Sequence, residues 1–209
     1  MTDAHYHRGG VTWLSLQGRE YRFLGCHPWD ADSAPLDEVL STLRVRLTAD
    51  SSVGVGEIGL DRLRERAVTD GQRALFSAQL SLAAELHRPV VLHGAKCWGE
   101  VVKAVQPFAG DIPAFLFHGF SRSEGLLPAI FALNGYVSVG RAILNDHAVN
   151  YRTFVSRLPH ARLLVETDAV DADEQVRAET LNAVFGKVAA LTGVSEAQLD
   201  ANAAALLGD

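Results

Sequence analysis

The chain has 209 residues, of which 48% are hydrophobic and 21% charged, with 19 basic residues against 25 acidic ones and a net charge of −6. A chain of this size and composition makes one sizeable core, read as a single domain over residues 1–209. The acidic balance argues against a protein that grips nucleic acid by surface charge alone; no apolar run approaches the roughly 18 residues of a membrane span; and Cys26 and Cys97 do not make a disulfide framework.

The first ten residues, MTDAHYHRGG, lack the basic-then-apolar pattern of a secretory signal, so a cytoplasmic location is expected, with no membrane partner. An extended segment carrying His5 and His7 comes first. Short runs rich in Val, Leu, Phe and Ile then predict strands at 21–26, 53–58, 89–93, 114–118, 136–140 and 163–167. Helical spacing predicts helices at 36–47 and 71–87, the latter with Leu75, Gln79, Leu82, Ala83 and Leu86 on one side. Two further helices close the chain at 174–191 and 195–207, the last with Ser195 as its N-cap. Continuous apolar strands alternating with helices predict a parallel sheet. A closed (β/α) barrel and an open doubly wound sheet both fit this pattern.

The polar residues discriminate further. Nearly every predicted strand runs into a side chain able to bind a metal: His27, Glu57, His93, His118 and the Glu166-Thr167-Asp168 segment. In a parallel barrel all strand C-termini share one face, where active sites are built. His5 and His7, two apart in an extended segment, point the same way. Four histidines with two carboxylates suit a pair of ions, and a carboxylate bridging two cations is a hydrolytic device. Each residue alone has a plainer reading: a core or capping histidine, a helix-capping Asp168, a solvated Glu57. All of these would have to hold at successive strand ends. His87, His147 and His160 are read as surface or helix-start residues.

In order along the chain, Asp3-Ala4-His5-Tyr6-His7, Gly25-Cys26-His27-Pro28, Gly56-Glu57-Ile58-Gly59-Leu60-Asp61, Leu92-His93, Phe117-His118-Gly119-Phe120-Ser121 and Glu166-Thr167-Asp168-Ala169 resemble the motifs of TatD-type metal-dependent deoxyribonucleases, within the amidohydrolase-like barrels. The helix at Gln72–Leu82, with Phe76 and Gln79, and the closing Asn202-Ala203 and Leu207-Gly208 extend the resemblance over most of the chain. It implies a TIM-like (β/α) barrel and a hydrolase cleaving phosphodiester bonds with a metal-activated water, as a 3'-5' exonuclease-like deoxyribonuclease. It implies two divalent cations (Zn, Mn or Mg) held by His5, His7, Glu57, His93, His118 and Asp168. Glu57 would bridge, and Asp168 would also handle the proton of the attacking water, making these two the catalytic pair. His27 would contact substrate.

The departures concern shape and substrate. Only 20 positions separate His7 from His27, where the family carries a full helix and strand. The expectation is a barrel distorted or lacking one β/α unit, with residues 11–17 and 21–26 forming a hairpin around Gly18. Val170 replaces the family's proline, and Gly94-Ala95-Lys96 stands where an arginine is usual. Candidate substrate contacts are His27, Lys96, Arg122 and Arg62, with Arg64, Arg66 and Arg141 also on the ligand side. Trp29 and Trp98 could each stack a base or pack a lid. The expected partner is DNA or another phosphoester, met by a monomer or weak homo-oligomer. The alternatives are an amide or aminoacyl-ester hydrolase on the same metal core, a non-catalytic metal-binding barrel, and an open-sheet phosphatase. The last lacks an Asp nucleophile motif and a glycine-rich phosphate loop.

Overall fold

In the computed structural model, which describes residues 1–33, 35–121 and 123–208, eight strands form one sheet in sequence order. The first three are a meander: β1 (Asp3–Arg8), β2 (Val11–Leu16) and β3 (Arg19–Leu24), with β2 antiparallel to both neighbours. Two-residue turns join them, Gly9-Gly10 and Gln17-Gly18, and all four residues have positive φ. Turns of that kind match the right-handed twist of the strands they connect. The expected hairpin around Gly18 is present, and the segment before it contributes a second one.

From β3 onward every strand pairing is parallel, through β4 (Gly54–Asp61), β5 (Val90–Ala95), β6 (Phe115–Phe117), β7 (Gly135–Val139) and β8 (Leu163–Val165). The connections carry α1 (Leu36–Ala49), α2 (Asp70–Glu85), α3 (Trp98–Val105), α4 (Leu127–Ala132) and α5 (Val149–Val155). Helices α6 (Glu174–Thr192) and α7 (Glu196–Leu207) follow β8. The segment after β8 returns to β1: His7 N–H donates to the Ala169 carbonyl at 2.7 Å, and Asp168 N–H to the His5 carbonyl at 3.0 Å. The sheet is therefore a nearly closed TIM-like barrel, and the open-sheet alternative falls. The first helical crossover is the missing unit.

Alternate residues of each strand serve two layers, as a period of two requires. Val90, Leu92, Phe115, Phe117, Leu163 and Val165 pack outward in the large cluster that includes the helices. Val91, Leu116, Tyr136 and Leu164 face inward, with Leu14 and Phe23 of the meander. Ala203 and Leu206 of α7 join this inner set. Asn202 Nδ2 donates to the carbonyls of His160 and Leu163 at 2.6 and 2.7 Å, docking α7 under the N-terminal end of β8. Asp200 accepts from Thr2 and from Gln17 in the β2–β3 turn. So α7 is the floor of the barrel, and the inward parity that begins at Val91, Leu116 and Leu164 continues upward to His93, His118 and Glu166. Among the described residues, no helix is long and apolar enough to cross a membrane.

Candidate metal centre

Glu57 lies at the middle of the barrel mouth, and its two carboxylate oxygens face different groups. On one side, His5 Nε2 and His7 Nε2 stand 3.1 Å apart and lie 3.4 and 3.3 Å from Glu57 Oε2. Asp168 Oδ1 is 3.7 Å from the first and 3.8 Å from the second. On the other side, Glu57 Oε1 is 2.6 Å from His118 Nε2 and 2.7 Å from His93 Nδ1, while those two nitrogens are 3.4 Å apart. His27 Nε2 is more distant from that oxygen, at 3.8 Å.

A tetrahedral ion bound at about 2.1 Å has ligand–ligand edges of about 3.4 Å, so the His5–His7–Glu57–Asp168 group has the dimensions of a cation site, whereas in the second group only the His93–His118 edge does and Glu57 Oε1 sits at hydrogen-bond distance from both rings. The donor chemistry fits as well. Imidazole nitrogens and carboxylate oxygens converge with no aliphatic side chain between them, and groups of three such donors recur around Glu57 and around His5 with Asp168. His5 is fully buried, and its Nδ1 has no hydrogen-bond partner. Its one paired nitrogen is the one aimed into the cluster.

Charge supports this geometry. Burial pushes the Glu57 carboxyl up, but the charges of His118 and His5, and their hydrogen bonds, outweigh it and hold it well below the usual carboxylate range. Burial pushes His118 down, and the carboxylates of Glu57 and Glu166 overcome this and raise it well above the usual imidazole value. An anion this deep persists only with positive charge around it, whether from protons on imidazoles or from cations.

Behind the donors stands a second ring of groups. Asp61 Oδ2 accepts from His93 Nε2 at 2.9 Å and from the Trp29 indole N–H at 2.8 Å. Its other oxygen accepts the backbone N–H groups of Leu63 and Arg64. Burial raises the Asp61 carboxyl, but those hydrogen bonds, His93's first, bring it below its ordinary value. Across the mouth Glu166 Oε1 lies 3.5 Å from His118 Nδ1, an ion-pair distance that leaves this buried nitrogen without a hydrogen bond, and Oε2 accepts from the Ser138 hydroxyl. Carboxylates on the far nitrogen of an imidazole fix its tautomer and aim. Two glutamines of α2 hold the loops: Gln72 accepts from the Asp61 N–H, while Gln79 accepts from the Cys26 N–H and donates to the Cys26 carbonyl. Asp3 takes two hydrogen bonds from Thr167, next to Asp168, and one from Arg177.

The six residues expected as ligands thus lie together, and His27 lies at their edge. His27 Nδ1 accepts the Trp29 backbone N–H at 3.2 Å, which leaves the neutral ring's proton on Nε2. Burial lowers His27 to about 4, so that ring stays neutral at pH 7. Beside the cluster opens a cleft of about 1110 Å³ whose walls include Arg62, Lys96, Ser121, Arg141, Tyr151 and Asp168. Arg62 is ion-paired with Glu100, which also binds Arg73. Lys96 and Arg141 line the cleft without an ion-pair partner among the described residues. Arg122 lies outside those residues. Trp98 is buried against Phe117 and Phe120, a packing role, whereas Trp29 is exposed.

Sequence reasoning placed Glu166 among the metal-capable strand ends and Asp61, Gln72 and Gln79 within motifs, but gave none of them its supporting role, and it passed over Ser138. One signal was available: Gln72 and Gln79 are polar, seven apart and therefore two turns apart on the otherwise apolar buried face of α2.

Fold and site together define a class of TIM-like barrels in which imidazoles and carboxylates gather at the strand C-termini. The chain belongs to the TatD-related DNase family, whose model matches residues 5–206. A protein of Yersinia pseudotuberculosis called "3'-5' ssDNA/RNA exonuclease TatD" is 34% identical over 146 residues, 69% of this chain and 56% of the relative. "Uncharacterized metal-dependent hydrolase YabD" of Bacillus subtilis is 28% identical over 71% of this chain and 58% of its own length. The solved structure of the TatD homolog YjjV from Escherichia coli superposes with a TM-score of 0.71 at 29% identity, covering 90% of this chain and 74% of that one. The chain spans a little over half the length of the curated relatives it matches.

Proposed function

We propose that residues 1–209 are one metal-dependent phosphodiesterase domain acting on single-stranded nucleic acid, as a 3'-5' exonuclease-like deoxyribonuclease. The observation that carries this reading is the division of Glu57 between two donor groups, Oε2 toward His5 and His7, Oε1 toward His93 and His118. His5, His7, Glu57 and Asp168 would hold one divalent cation, and Glu57, His93 and His118 a second; Zn, Mn and Mg are the candidates. Such cations lower the pKa of a water and neutralise charge on a phosphoryl oxygen.

The chain's own groups do the rest. Asp168, with its side chain about half exposed, offers Oδ1 as the acceptor for the proton of the attacking water. Its φ of 49° lies in the left-handed region, and its N–H is fixed by the His5 carbonyl, so the carboxylate is presented at the mouth beside the two histidines. His27 presents a neutral Nε2–H to a phosphoryl oxygen, which suits a substrate contact better than a ligand. Lys96 and Arg141 offer uncommitted charge to the neighbouring phosphates. In this reading Arg62 supports the wall through Glu100 rather than meeting substrate.

The test is hydrolysis of a single-stranded DNA oligonucleotide and of a simple aryl phosphodiester with Mg²⁺, Mn²⁺ or Zn²⁺, beside EDTA and the Glu57→Gln variant. Metal-dependent cleavage abolished in the variant is expected, with a product ladder shortening from the 3' end. Absence of cleavage with cations bound would move the assignment to an amide or aminoacyl-ester substrate, or to a site that no longer catalyses.

A further inference from the structure

Trp29 is the only exposed Phe, Tyr or Trp among the described residues, with 53% of its surface accessible. It is nevertheless fixed. Its indole N–H donates to Asp61 Oδ2, the same oxygen that receives His93 Nε2, and its backbone N–H donates to His27 Nδ1. The ring stands edge-on to His27, with centroids 4.7 Å apart and planes at 80°. The Arg64 guanidinium lies over it, 5.4 Å from the centroid. An indole anchored along its edge, with Arg64 over it and about half of its surface still accessible, leaves ring area free for a planar ligand.

Its neighbourhood is biased in the same way. The exposed large apolar side chains are Trp29, Val45, Leu63, Leu144, Val149, Val170 and Val176. Only Val45, on α1, is away from the mouth; the other six lie in or just beyond the connections that leave the strand C-termini. An apolar rim around a charged centre is complementary to a strand whose bases are unpaired, and not to a duplex, which hides them.

We propose that Trp29, with Arg64 beside it, is a stacking platform for an unpaired nucleobase next to the scissile phosphate, so that the site selects base-bearing nucleotides over bare phosphodiesters. The proposal rests on the phosphodiesterase reading above. The stacking face supplies sequence-tolerant affinity, because every base has a π-face, and Arg64 supplies a cation for the adjoining phosphate.

The test compares the p-nitrophenyl ester of thymidine 5'-monophosphate with methyl p-nitrophenyl phosphate in wild type, Trp29→Ala and Trp29→Phe. The preference in kcat/KM for the base-bearing ester should fall about tenfold in Trp29→Ala, mostly through KM, the scale of a lost base–aromatic stack. Trp29→Phe, which keeps a ring but loses the Asp61 hydrogen bond, should retain most of the preference. An unchanged preference in Trp29→Ala, or an equal fall in both variants, overturns the platform and leaves Trp29 as a prop for Asp61. Binding is read independently through indole emission, which thymidine 5'-monophosphate should quench in wild type and deoxyribose 5-phosphate should not. Quenching without turnover of either ester would keep the platform and sink the phosphodiesterase reading. Turnover without base-dependent quenching would do the reverse.

Discussion

From β4 to β8 each strand is followed by a helix, while between β1 and β3 there are only two-residue turns. The helical side buries its strands under α2 to α6, and β4 is buried over its whole length. The meander side alternates buried and half-exposed positions along β2, because only one face of it meets the core. Both sides nevertheless deliver imidazoles to the same mouth. The reason is parity: two reversals return the chain to its starting direction, so β3 runs parallel to β1 and to everything after β4. His27, past the end of β3, therefore reaches the same mouth as His5 and His7, on the His93 side of Glu57, just as it would after a helical crossover. What the site needs is strand direction, and the barrel gets it on one side with helices and on the other with four residues of positive φ.

Glu57 joins the two sides, since one oxygen serves the meander's histidines and the other serves β5 and β6. Glu57→Gln should therefore have the largest effect: a loss of metal-dependent kcat of at least about a thousandfold, on the scale of deleting a principal electrostatic group. Circular dichroism should show the fold retained, and titration calorimetry should show weakened cation binding; a folded variant with wild-type turnover would break the assignment. Leu164→Ala, in the inner layer where both sides pack, should cost about 2–5 kcal/mol in denaturant unfolding. A cost below 1 kcal/mol would mean that the two sides do not share a core.

Asp61→Asn acts on one of the two donor groups, through His93, and also touches the Trp29 indole that shares its oxygen. It should reduce metal affinity or activity by about 10–100-fold and weaken one cation more than the other. Equal weakening of both would contradict the separate anchoring of the two groups. Gly18→Val tests the meander, because a β-branched residue at φ 81° costs about 1–2 kcal/mol. The melting temperature should fall while the Glu57-centred chemistry survives at low temperature. An unchanged melting point would mean that the turn does not set the register.

The smallest effect lies within the meander, where a side-chain tie joins β3 to β1. Glu20 on β3 is bound first by Arg8 and then by Tyr6, and these hold its carboxyl below the usual range against a small opposing effect of burial. A depressed folded pKa stabilises the protein above the unfolded carboxylate value, and that contribution is lost as pH falls through the lowered one. Glu20→Gln should be less stable than wild type near pH 7, by less than about 1 kcal/mol because the pair is partly exposed. The two unfolding curves should converge in acid; a gap that persists at low pH would assign the loss to packing instead.

The sequence by itself determined the alternation of strands and helices and which imidazoles and carboxylates stand at the strand ends. Apolar runs ending in His93, His118, Glu57 and Asp168 are local patterns, and the two-residue spacing of His5 and His7 follows from the pleat. Helices α1, α2, α6 and α7 were also legible, from periodicity over 12 residues or more. The short helices α3, α4 and α5, of 8, 6 and 7 residues, were not, because so few turns carry too little period to read. Only the tertiary structure decided that the sheet closes, since that depends on hydrogen bonds between β1 and residues more than 150 positions away. It also decided that Glu57 is shared between two groups, that Asp61 and Glu166 back His93 and His118, and that Trp98 is buried while Trp29 is bare. Those facts depend on which carboxylate meets which ring across strands distant in sequence, and no periodicity along one chain encodes a distance between two.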